Sequence, residues 1–152
     1  MSDYDCTEDV LSHIEIVKTK LAKFALQLYL RGIIHDESKL QEPEKSMFDE
    51  WTPKLKVLEF GSDEYKDALS HMGEALKHHY ENNRHHPEHF QFGIDDMNLF
   101  DVVEMFCDWV AAAEKQGKPV DIDYPRKRFS MSDQLYNIFK NTIPIMSNEQ
   151  EN

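Results

Sequence analysis

Five of the chain's eight histidines fall in one short stretch, as His78, His79, His85, His86 and His89. An adjacent His35-Asp36 pair stands upstream. Imidazole nitrogen and carboxylate oxygen together form the donor set a divalent transition metal prefers. A plain solvated loop has no need of histidine at this density, since Lys, Glu, Ser or Asn would serve. The competing reading is a pH-responsive surface patch. Convergent titratable groups favour a site.

Each group has a bland reading beside the chemical one. His35-Asp36 could give a metal one nitrogen and one oxygen, with the carboxylate bridging two ions, or it could be a helix-end Asp beside a surface His. His13 shares a broad helix face with Val17 and Leu21, where a lone His is more often a boundary residue than a ligand. His78 and His79 are about 100° apart on a helix, so only one of them faces a given site; the sequence leaves open which. His71 and His89 are equally open. Pro87 restricts His86 to extended geometry, which aims its ring. Further along, Asp101, Glu104 and Asp108 form one acidic stripe on an apolar helix. Asp108, between Cys107 and Trp109 and followed by three alanines, is the most enclosed and reads as a ligand. Asp101 and Glu104 divide evenly between ligand and solvated stripe.

The elements that must position these groups read as helical almost throughout. Apolar spacing in Ile14, Val17, Leu21, Phe24 and Leu28 predicts a first helix over 8–31, broken at Gly32. Glu42-Pro43 opens a second helix, and Thr52-Pro53 a short third one to Phe60. A long helix is expected over 63–82, an ordered loop over 84–97, and a helix over 99–115 closed by Gly117. Residues 120–129 read as extended, and 133–143 as a last helix ended by Pro144. The expectation is an all-α chain: one compact domain of five to seven helices over 1–146, with a polar tail at 147–152.

Composition narrows the function classes. The chain has 152 residues, enough for one domain with a sizeable core. No apolar run approaches the roughly 20 residues of a membrane span, and the acidic N-terminus lacks signal-peptide features. The expected location is cytoplasmic, with no membrane partner. A net charge of −12 opposes duplex nucleic acid, but still permits a small anionic substrate at a locally positive site. Cys6 and Cys107 match no paired motif, and Cys107 reads as core. A homo-oligomer is left open.

The order of these features resembles the HD-domain superfamily of metal-dependent phosphohydrolases: a His on an early helix, a His-Asp doublet, and a distant Asp on a late helix. Asp108-Trp109-Val110-Ala111-Ala112 is similar to that family's late Asp followed by small residues, and His35-Asp36-Glu37-Ser38-Lys39 to its doublet with a lysine three residues on. His78-His79 and His85-His86 are similar to the extra histidines of the two-metal branch that cleaves cyclic dinucleotides. That branch's glycine-tyrosine-proline signature is replaced here by Arg84-His85-His86-Pro87-Glu88-His89. Most of the chain also resembles a small family of bacteria and their phages that shares the His-Asp-x-Ser-Lys and His-His-Pro-Glu-His stretches.

The resemblance implies an HD-like helical bundle. It implies one metal held by His13, His35, Asp36 and Asp108, and a second bridged by Asp36 and held by His79 (or His78), His85 and His86. One or two divalent ions per chain are expected, from Mn, Fe, Co, Ni or Zn. Activated water would attack the phosphorus of a nucleotide or related small phosphoester. Asp36 and Lys39 are the expected catalytic residues. Lys39, Arg84 and Arg31 are the candidates for binding the substrate anion; Lys77 and the Arg126-Lys127-Arg128 cluster are weaker ones. Tyr80 and Phe90 could stack a base or simply pack. Two alternatives stand beside the hydrolase: a di-iron centre that activates oxygen, as in some HD-like proteins, and a non-enzymatic module that binds metal or nucleotide.

Overall fold

The computed structural model describes residues 4–59 and 61–146; Phe60 and the expected polar tail lie outside the described residues. Seven α-helices and three single turns of 3-10 helix make up the ordered structure, and no strand occurs among the described residues. The all-α expectation holds. By their contacts the residues group into two units, 1–34 and 35–152.

The first unit is helix α1, Thr7–Ile34. Just before it, Asp5 accepts from Thr7 N–H at 3.0 Å, and Glu8 and Asp9 add negative charge to its first turn. The helix runs through Gly32, because one glycine costs only about 1 kcal/mol in a helix this long. None of its residues is buried.

The second unit carries the hydrophobic core and the histidine cluster. Helix α5, Leu99–Gln116, joins the two. Asn98 caps it in a reciprocal box with Asp101, and Gly117 closes it in the left-handed conformation (φ 63°) that a glycine adopts at no steric cost. One face of α5 supplies Met105, Phe106 and Val110 to a core completed by Ile122, Met131 and Phe139. Phe139 lies on helix α7, Asp133–Met146, and stacks on Phe106 with ring centroids 4.6 Å apart. Trp109 meets the same ring edge-on. The opposite face of α5 carries Asp101, Glu104 and Asp108 toward polar partners.

Helices α2 (Glu44–Leu55), α3 (Asp63–His71) and α4 (Gly73–Asn82) build the other wall. Several boundaries differ from the sequence expectation. Pro53 does not start a helix but sits inside the last turn of α2, where, having no N–H, it forgoes the bond to the carbonyl of Asp49 and the helix ends two residues later. The long helix expected over 63–82 breaks at Met72 (φ −91°, ψ 9°), fully buried just before Gly73, a poor helix former. Residues 123–128 are helix α6 rather than extended: Asp121 accepts from Asp123 N–H at 2.8 Å, and Pro125 falls in the first turn. Pro144 lies within the last turn of α7.

Because Phe139 is buried and holds two aromatic partners, Phe139→Ala is expected to cost about 3–5 kcal/mol. Chemical denaturation of the metal-free protein checks this; a loss below about 1 kcal/mol would show that α7 does not carry the core.

Candidate metal centre

The chain turns sharply after α1. Asp36 occupies the left-handed region (φ 58°, ψ 15°), and a 3-10 turn over Glu37–Leu40 follows. A non-glycine residue there costs about 1 kcal/mol, least for Asp and Asn, and such strain tends to collect at functional positions. The turn presents both carboxylate oxygens of Asp36 to side chains of its own unit. Oδ1 lies 3.3 Å from His79 Nε2 and 3.4 Å from His85 Nε2. Oδ2 accepts from Lys39 Nζ at 2.6 Å and lies 3.7 Å from His35 Nε2.

His79 comes from the last turn of α4 and is almost fully buried. His85 and His86 follow a short loop. Pro87, buried at the start of a 3-10 turn over Pro87–His89, leaves His86 extended (φ −95°, ψ 127°), as its sequence neighbour demands. His79 Nε2 and His86 Nε2 then face each other at 2.8 Å. The four donors of Asp36, His79, His85 and His86 all lie within 4.8 Å of one another. A second group of three consists of His35, His85 and Asp108, with His35 Nε2 3.5 Å from Asp108 Oδ1.

Metal–nitrogen bonds of roughly 2.1 Å in a tetrahedron put neighbouring donors about 3.4 Å apart. The observed separations from Asp36 Oδ1 match that edge. Asp36 Oδ1 and His85 Nε2 are also buried without a hydrogen-bond partner in the protein. Buried polar atoms are otherwise almost always paired, and leaving one unpaired costs about 1–3 kcal/mol. The chemistry of the set, imidazole-rich with one carboxylate, therefore fits a divalent transition ion.

Two further carboxylates back these rings. Glu44, with no exposed surface, accepts from Ser38 Oγ at 3.0 Å, His79 Nδ1 at 2.9 Å and His78 Nδ1 at 2.7 Å. Glu104 Oε1 lies 2.9 Å from His35 Nδ1 and 3.3 Å from His85 Nδ1. Asn83 donates to Ser38 Oγ and to the His79 carbonyl.

These neighbours set the protonation. Hydrogen bonds to Asp108 and Glu104 raise His35 from its ordinary 6.5 to about 10. Burial pulls His85 down, but Asp36 and Glu104 outweigh it and the net shift is upward. Burial, reinforced by the other histidines, drives His86 down to about 2, and burial with Lys39 lowers His79. Burial opposes the charge on Asp36, yet His85, Lys39 and His35 hold its carboxyl well below the usual range.

The remaining expected site residues are placed as follows. His13 is exposed on α1, in the first unit, and belongs to neither donor group. Arg31 is half-buried in the last turn of α1. Arg84 forms a two-pronged pair with the buried Asp101, at 3.1 and 2.9 Å, and lies over Phe90. Lys39, besides its bond to Asp36, sits 5.0 Å from the Phe48 ring centroid. His78 is the outer of the adjacent pair, tied to Glu44. His71 stacks on Trp51, and His89 donates to the Tyr80 carbonyl, so both pack away from the donor groups. Arg126 and Arg128 pair with Asp133 and Glu88, and Lys77 with Glu81. Cys107 is half-buried, and burial pushes its thiol up.

Sequence reasoning missed Glu44 altogether and left Glu104 undecided. Nothing local marks Glu44. Glu104 had a signal: it shares the acidic stripe with Asp108, one turn away on the same face.

The shifts fix a pH profile for the metal-free protein. His35 and His85 hold protons more tightly when folded, so their contribution is complete below pH 6.5 and fades at higher pH, that of His35 toward about 10. His79 and His86 resist protonation when folded, so stability falls as pH drops below 6.5. The stability contributed by Asp36 is present above the ordinary carboxylate range and is lost only in strong acid. In chelator, the denaturation midpoint is expected to peak near pH 6.5; a steady rise from pH 6 to pH 9 would contradict these environments.

A family model described as "Family of unknown function (DUF5662)" matches residues 2–145. No curated protein and no solved structure matches the chain. Among the described residues, no helix is long and apolar enough to cross a membrane.

Proposed function

The chain belongs to DUF5662, a family of unknown function, and we propose from its site that it is a metal-dependent phosphohydrolase acting on a nucleotide or related small phosphoester. One observation carries the reading: four buried or half-buried donors from three chain segments converge at the spacing of a coordination shell, with two of the facing atoms otherwise unpaired. The HD-domain resemblance of the sequence supports the same conclusion.

In this reading His79, His85, His86 and Asp36 would hold one divalent ion, and His35 and Asp108, beside the same Asp36, would hold a second. The bound metal supplies a Lewis acid that acidifies water and polarises a phosphoryl oxygen. Asp36 orients the pair by dividing its two oxygens between the groups. Lys39 is the cation at the centre able to meet a phosphate, moving from Asp36 Oδ2 to the substrate anion. Arg84 is a support: its guanidinium is committed to Asp101, and it holds the loop that carries His85 and His86.

Imidazole outnumbers carboxylate in the first donor group, which also suits iron. That favours, as a second reading, an oxygen-activating di-iron centre. Iron in the isolated protein, with an absorption band that responds to oxygen, would select it.

The test is phosphoester turnover by protein loaded with Mn, Co, Ni or Zn, screened over nucleotides and simple aryl phosphates. Asp36→Asn is expected to lose at least about 100-fold in turnover while keeping wild-type helicity. Equal turnover by the variant, or turnover unaffected by chelation, would refute the hydrolase.

A further inference from the structure

Three of the histidines around Asp36, namely His35, His79 and His85, do not choose their own orientation. Each ring can offer either nitrogen, and the nitrogen that carries hydrogen is set by the partner on the other side. A carboxylate only accepts, so a ring nitrogen hydrogen-bonded to it must carry the hydrogen. His79 Nδ1 faces Glu44 at 2.9 Å, and His35 Nδ1 and His85 Nδ1 face Glu104 at 2.9 and 3.3 Å. In all three rings Nε2 is thereby left to face Asp36 or Asp108.

We propose that Glu44 and Glu104 are the positioning residues of the metal centre, and that they act unequally. Glu44 serves one ligand, His79, of one donor group. Glu104 serves His35 and His85, and so links both groups through a single carboxylate. This rests on the metal reading above and adds to it a coupling between the two ions.

The burial of Glu44 argues against a purely structural role. A carboxylate with no exposed surface costs several kcal/mol unless fully matched, and a glutamine of the same shape could bond to Ser38 and His79 at lower cost. What glutamine lacks is the charge that makes an imidazole a stronger donor to a cation. The two glutamates also come from different helices, α2 and α5, on which the sequence has no reason to repeat the arrangement for packing alone.

The experiment is titration of chelated protein with Co2+ alone, comparing the unaltered chain with Glu44→Gln and Glu104→Gln. The unaltered chain is expected to bind two ions. Glu104→Gln should weaken both by about 10- to 100-fold, and Glu44→Gln should weaken one by that factor and leave the other within about twofold. Far-UV circular dichroism of the metal-free variants, expected to match the parent, separates this from loss of fold. If a variant fails to fold, the imidazole nitrogen-15 spectrum of the unaltered zinc-loaded protein decides: His35, His79 and His85 should show hydrogen on Nδ1 and metal on Nε2. No uptake by the unaltered chain would overturn the metal reading and this proposal together. Metal binding by the unaltered chain with both variants unchanged, both weakened alike at a single ion, or rings bound through Nδ1, would overturn this proposal alone.

Discussion

The half-buried carboxylate of Asp36 is the constraint around which the second unit is arranged. Its charge is held against burial by Lys39 on one oxygen and by imidazoles around both. To place it there the backbone adopts a left-handed turn that most residues avoid. The cost is small for an aspartate, and it is offset when both oxygens find cationic or ligated partners. Asp36 Oδ1 itself is buried without a hydrogen-bond partner in the protein.

From that point the surrounding elements follow. The 3-10 turn after Asp36 carries Ser38 to Glu44 and Lys39 back to Asp36, so one short segment meets both carboxylates. α4 delivers His79 from its final turn, and the proline-braced loop delivers His85 and His86. The Arg84–Asp101 pair anchors that loop to the start of α5. α5 then performs two tasks with two faces: Met105, Phe106 and Val110 fix it in the core, and Glu104 and Asp108 extend from it toward the histidines. A helix anchored in a close-packed core is a rigid platform, which ligand geometry requires.

Much of this was legible in the residues. The histidine density, the His-Asp doublet, the restriction of His86 by Pro87 and the capping of α5 all follow from local chemistry, and the structure shows those elements where the spacing puts them. Asp108 was singled out because it is a carboxylate on an apolar helix. The choice between His78 and His79 was not legible, since it depends on which face of α4 meets Glu44, a residue 34 positions from His78. The pairing of Arg84 with Asp101 was not legible either, because its buried partner lies on another element. The break at Met72 and the helix over 123–128 were missed for opposite reasons: the first is set by burial of one methionine, while the second had Asp121, which accepts from Asp123 N–H, and its first-turn proline in plain view.

The central claim is that Asp36, His79, His85 and His86 form a coordination shell. X-ray absorption at the cobalt edge, on protein loaded with one equivalent of Co2+, tests it most directly. The account predicts a four-coordinate nitrogen and oxygen shell with the outer scattering of about three imidazole rings and no sulfur. A shell of water oxygens without imidazole scattering, or one containing sulfur from Cys107, would contradict it.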